Sequence, residues 1–124
     1  MKLTENFNSS EFDCKDGTKV PAEFMKNCKE VAINLQVLRD SLGVTVAITG
    51  SGYRTPSHNT KVKGAKNSQH LTASAADINV KGYTPRQLSV VIERLIKEGK
   101  MKQGGIGVYP NFLHYDIRGK KARW

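Results

Sequence analysis

Only three histidines occur in the 124 residues, and two of them have carboxylates nearby: His70 with Asp77, and His114 with Asp116. His70, Asp77 and His114 make a two-nitrogen, one-oxygen set. Three such protein groups can hold a catalytic zinc and leave a fourth position open. Zinc bound this way brings the pKa of its water toward about 7 and polarises a carbonyl, which is the basis of metal-assisted hydrolysis. A histidine near an aspartate is more often a plain hydrogen-bonding pair. Two such pairs in a histidine-poor chain, one of them following a long polar stretch, favour the metal.

The elements that would position these groups can be read from the surrounding pattern. Side chains on a strand alternate between faces, so His114 and Asp116 project to one side and Tyr115 to the other, with Asp116 about 7 Å further along. Asp116 is then expected either as a proton shuttle for the metal's water or as the partner of the second nitrogen of His114. The step from His70 to Asp77 is too long for one extended run to bring both to a single ion. His70 must therefore lie in or just before a bend, and Thr72-Ala73-Ser74 supplies small residues for it.

Upstream, residues 3–20 read as an irregular opening with a turn at Asp16-Gly17. Pro21 begins a long amphipathic helix whose Phe24, Cys28, Val31, Leu35, Leu38 and Leu42 share one face, and Gly43 ends it. The β-branched run 44–49 reads as a strand. Residues 50–69, rich in Gly, Ser, Asn, Pro and Lys without apolar period, read as one long loop, a kind that is usually functional or disordered. A second strand spans 75–80. Thr84-Pro85 caps and opens a second helix that buries Leu88, Val91, Ile92, Leu95 and Ile96 and stops at Gly99. Strands at 105–108 and 112–118 form a hairpin around Tyr109-Pro110-Asn111. The expected fold is a single α+β domain over residues 1–124, with two main helices packed on a small, largely antiparallel sheet.

Composition bounds the function classes. Hydrophobic and charged fractions of 38% and 25% are ordinary for a globular protein. No stretch approaches the roughly 18 apolar residues of a membrane helix. The opening Met1-Lys2-Leu3-Thr4-Glu5-Asn6 has no apolar leader segment, so the expected setting is the cytoplasm until release by lysis, or a virion. The net charge of +9 suits an anionic partner such as cell-wall polymer. Charges are scattered, apart from Arg118, Lys120, Lys121 and Arg123, and no aromatic residues interleave with them as single-strand binders require. Neither a nucleic-acid nor a membrane partner is expected. Cys14 and Cys28 have no zinc-site spacing; Cys28 falls on the apolar helix stripe, and neither is assigned to the metal.

Ser68-Gln69-His70 through Asp77, followed by His114, resembles the S-x-H-x-x-G-x-A-x-D … H signature of the zinc D-Ala-D-Ala carboxypeptidase and peptidoglycan endopeptidase family, peptidase M15. Ser51-Gly52-Tyr53-Arg54-Thr55-Pro56-Ser57-His58-Asn59 resembles that family's substrate loop, and residues 112–124 resemble its short, phage-associated branch. The resemblance implies a hedgehog/DD-peptidase-like fold and a zinc metallopeptidase, carboxypeptidase or endolysin-type endopeptidase, acting on peptidoglycan stem peptides. It implies His70, Asp77 and His114 as zinc ligands, Arg54 as the grip on a substrate carboxylate, and Ser68 as a substrate hydrogen-bonding group or a loop cap. His58 is expected to hold its loop, and Tyr53 to pack. Two positions depart from the pattern: Ala73 stands where glycine is usual, and Asn111 where several members carry an acid. Asparagine cannot accept the proton. Asp116 is therefore the expected replacement as catalytic residue, and a non-catalytic, zinc-stabilised cell-wall binding module is the alternative.

Overall fold

The computed structural model describes all residues, 1–124. A turn of 3-10 helix at Ala22–Phe24 leads into α1, Met25–Leu42, and Gly43 closes that helix in the left-handed region at φ 71. α1 buries Cys28, Val31, Ala32, Leu35 and Leu38, while Phe24 and Leu42 at its ends pack half-buried against the same core. After β1 (Val46–Ile48) come a short helix α2 (Pro56–Lys61), a 3-10 turn at Gln69–Thr72, and β2 (Ala75–Val80). α3 (Pro85–Lys97) follows, then β3 (Gly105–Val108), β4 (Leu113–Asp116) and β5 (Ala122–Arg123).

The five strands form one sheet in the order β1-β2-β4-β3-β5, antiparallel except where β5 runs parallel to β3. α1 lies against β1 and β2, α3 against β3 and β4, and the helices touch each other. Ala76, Ile78 and Val80 of β2 and Leu113 and Tyr115 of β4 point into this helix-covered core. Their alternates Asp77, His114 and Asp116 then point to the opposite face, because pleating sends successive side chains to opposite sides. The structure is thus the expected α+β arrangement of two main helices on a mostly antiparallel sheet.

Three local expectations need correction. Residues 50–69 are not one loop, because Thr55 caps α2 by accepting from His58 N–H, with Pro56 at its first position. The last long strand is shorter than 112–118, ending at Asp116 where the backbone turns toward Gly119, φ 88. The opening segment, read as irregular, holds a 3-10 turn at Ser9–Phe12, and Leu3, Phe7, Phe12, Cys14 and Val20 all join the core. Cys14 and Cys28 are both free and buried. No helix is long and apolar enough to cross a membrane.

Candidate metal centre and its cleft

β2 and β4 pair so that Asp77 sits directly opposite His114. Residues opposite each other on one face of an antiparallel pair have their Cβ atoms about 5 Å apart, so the register alone brings this carboxylate and imidazole together. His70 arrives from the 3-10 turn, whose first free N–H groups are capped by Ser68: its hydroxyl accepts from His70 N–H at 3.2 Å. Ala73 ends the turn in the left-handed conformation at φ 56, ψ 34. That is why the related signature favours glycine there; alanine tolerates the same backbone at a cost of about 1–2 kcal/mol. The bend expected between His70 and Asp77 is this residue.

One oxygen of Asp77, Oδ1, lies 3.3 Å from His70 Nε2 and 3.2 Å from His114 Nδ1. One ligand atom from each of the three residues falls within 4.8 Å of the others, and all three residues are buried. The outer nitrogens are already committed. His70 Nδ1 is 2.8 Å from the Gly52 carbonyl, which can only accept, so Nδ1 carries the hydrogen. His114 Nε2 is 2.7 Å from Asp116 Oδ2, which assigns its hydrogen in the same way. Neutral rings with these tautomers aim two lone pairs at a single carboxylate oxygen. Only a cation or extra protons between them can reconcile that arrangement.

The electrostatics agree. Burial alone would raise the pKa of Asp77, but positive charge shared with His114 and His70 across these contacts outweighs it and holds the carboxyl below its usual range. Burial would also strip His114 of a second proton, yet the bonds to Asp116 and Asp77 reverse this and raise its pKa. The donor set fits zinc: two imidazoles with the correct nitrogens facing inward, one carboxylate, and an acceptor on the far nitrogen of each ring.

Asp116 is fully buried. Besides His114 it accepts from Gly105 N–H at 2.8 Å, from Arg118 N–H at 3.1 Å, and from Arg118 Nε and Nη2 at 2.9 and 2.8 Å. These donors override the effect of burial and keep its pKa well below the carboxylate range. Gly105 permits the approach: a Cβ there would collide with the Asp116 carboxylate. Asp116 does not line the cleft; of the two roles open to it, the geometry suits the partner of the second nitrogen.

The three candidate ligands line a cleft of about 700 Å³. Arg54 lies in its wall with two of its nitrogens fixed, Nε donating to Ser51 Oγ at 2.8 Å and Nη1 to Asn59 Oδ1 at 3.2 Å. Its Nη2 lies 3.6 Å from Asp77 Oδ2. Ser68 lines the cleft and is also the cap of the turn. Tyr53 packs against Phe24, with ring centroids 6.0 Å apart. Asn111 is exposed on the hairpin and His58 lies on α2; neither lines the cleft. The sequence reading missed the aromatic part of the lining, where Tyr109 stacks on Phe112 at 4.5 Å and Trp124 lies 5.0 Å from the His114 ring. Arg118 sits 5.4 Å over the indole, whose Nε1 donates to Tyr109. The sequence holds one usable signal for Arg118: two positions after Asp116, it can reach the same carboxylate.

The sequence model of the family described as Peptidase M15 matches residues 3–116. The chain belongs to the peptidase M15 family. That match spans the His70 turn, both site strands and the Arg54 loop, so the cleft is that of an M15 peptidase and its substrate class is a peptide. No match to the chain was found among curated proteins.

Proposed function

We propose that this M15 peptidase is a zinc metallopeptidase that hydrolyses peptide bonds in the stem peptides of peptidoglycan. The observation that carries the zinc reading is the convergence of His70 Nε2 and His114 Nδ1 on Asp77 Oδ1 while both outer nitrogens are spent on acceptors. Bound there, zinc would supply Lewis-acid activation of a water and of the scissile carbonyl.

The chain's own residues do the rest. Arg54, braced by Ser51 and Asn59, presents a fixed guanidinium suited to a planar carboxylate, such as the end of a stem peptide. Asp116 holds the His114 ring and tautomer. Tyr109, Phe112 and Trp124 give the cleft an apolar side against which a peptide can lie. Lys63 and Lys66, also in the lining, within a net charge of +9, favour an anionic substrate. The resemblance of the Arg54 loop and the His70–Asp77 segment to wall-cleaving relatives supports peptidoglycan over other peptides.

One observation favours a second reading, a zinc-holding module that binds wall peptides without cleaving them. Asp77 is the only side-chain carboxylate lining the cleft. Incubation of zinc-replete protein with muropeptides separates the two. Release of D-alanine or of shortened stems, absent in His70→Ala, supports the peptidase; bound but intact muropeptide supports the module. Free D-alanine would mark a carboxypeptidase, and internal cleavage an endopeptidase.

A further inference from the structure

A second set of three metal-binding side chains lies outside the cleft. Cys14, Asp16 and His58 each bring a ligand atom within 4.8 Å of the other two. The first two come from a tight turn in the opening segment, closed by Cys14 N–H donating to Thr18 O at 2.8 Å and Gly17 N–H to Cys14 O at 2.9 Å. The third comes from α2. Thr18 N–H donates to Asp16 Oδ1 at 2.9 Å and the Thr55 hydroxyl to Oδ2 at 2.7 Å, so the carboxylate is oriented while lone pairs remain. His58 bonds through its backbone alone, N–H to Thr55 Oγ1 and carbonyl from Val62 N–H, leaving both ring nitrogens uncommitted. The Cys14 thiol is buried, with Thr55 Oγ1 at 4.0 Å and the Asp16 carboxylate beside it.

We propose that Cys14, Asp16 and His58 hold a second divalent ion of the zinc class, which fastens the opening segment to α2. One sulfur, one nitrogen and one oxygen suit a borderline-soft ion and argue against calcium or magnesium, which take oxygen shells. On binding, the thiol gives its proton to solvent and the thiolate ligates. The Thr55 hydroxyl positions the carboxylate, as groups behind a metal ligand commonly do. The position gives the ion its role. α2 begins immediately after Arg54, and the opening segment reaches the same loop where Tyr53 N–H donates to Phe12 O at 2.7 Å. An ion here braces the loop that carries Arg54 without entering the cleft. The site is independent of the His70 centre and of what that centre does.

Cobalt(II) titration into metal-free protein tests this, because a thiolate ligand gives a sulfur-to-cobalt charge-transfer band in the near ultraviolet that the His70 centre, lacking sulfur, cannot give. Cys28 is wholly inside the core on α1 and out of reach. The band should reach its plateau within two equivalents in wild type, grow over one equivalent in His70→Ala, and vanish in Cys14→Ser. His58→Gln should weaken cobalt binding at the thiolate site by about tenfold or more. Absence of the band in folded wild type and His70→Ala overturns the site, as does a band that survives Cys14→Ser. Should Cys14→Ser fail to fold, His58→Gln decides: unchanged affinity overturns the proposal. Loss of muropeptide hydrolysis with the band intact would count against the peptidase reading only.

Discussion

The imidazole of His114 is fixed through its outer nitrogen, Nε2 lying 2.7 Å from Asp116, while Nδ1 faces Asp77 at 3.2 Å, so the ring is oriented toward the site by Asp116. Asp116 in turn is anchored by Gly105 and Arg118, which makes the site's geometry a property of β3 and β4 as much as of the ligands. Replacing Asp116 with Asn weakens the acceptor on Nε2. Zinc affinity, measured by competition with a chelator, should fall about 10–100-fold. Unchanged affinity would show that Asp116 does not act through His114. The three candidate ligands could be picked from the sequence because their residue types are scarce and specific, and the structure brings them together. Asp116 was expected as the catalytic residue, since alternation places it beside His114 but does not reveal the backbone and guanidinium donors that occupy it.

At the scale of elements, the same local grammar was readable in one place and missed in another. Thr84-Pro85 announced α3 because an apolar period follows it, whereas Thr55-Pro56 opens α2 over Pro56-Ser57-His58-Asn59-Thr60-Lys61, which has none. β5 is only Ala122–Arg123 and owes its existence to pairing with β3. The facing of Asp77 and His114 is likewise a matter of register between strands 37 positions apart, which no local pattern encodes. Gly107, opposite His114 on β3, leaves room for the C-terminal ring, since a Cβ there would lie 2.5 Å from the Trp124 indole nitrogen. Gly107→Ala should therefore push Trp124 off the His114 ring. Trp124 is the only tryptophan, so its fluorescence reports the change directly, with a shifted emission maximum and altered response to zinc. A spectrum identical to wild type would show that the indole does not pack there.

Across the whole molecule, the C-terminal segment completes the cleft wall and is tied back by a two-pronged pair, Arg123 Nε and Nη2 donating to the Glu93 carboxylate at 2.7 and 2.8 Å. The bond to Arg123 lowers the pKa of Glu93 against the opposing effect of burial. A depressed carboxyl contributes stability above its ordinary pKa of 4.5 and loses it as pH falls through the lowered value. The pair is half exposed, so the gain is about 1 kcal/mol at most. Glu93→Gln should remove that increment near neutral pH and leave the protein equally stable as wild type at the acid end; equal denaturant midpoints at both pH values would contradict the role. The charge of +9 belongs to this scale too, and says more about the kind of partner than about the fold. The central claim is that His70, Asp77 and His114 are a metal centre, and the most direct test is elemental mass spectrometry of wild type and His70→Ala, both loaded with zinc and both shown to be folded. The expected result is a difference of one zinc per chain, whatever other ion the protein holds. Equal zinc content in the two proteins would contradict it.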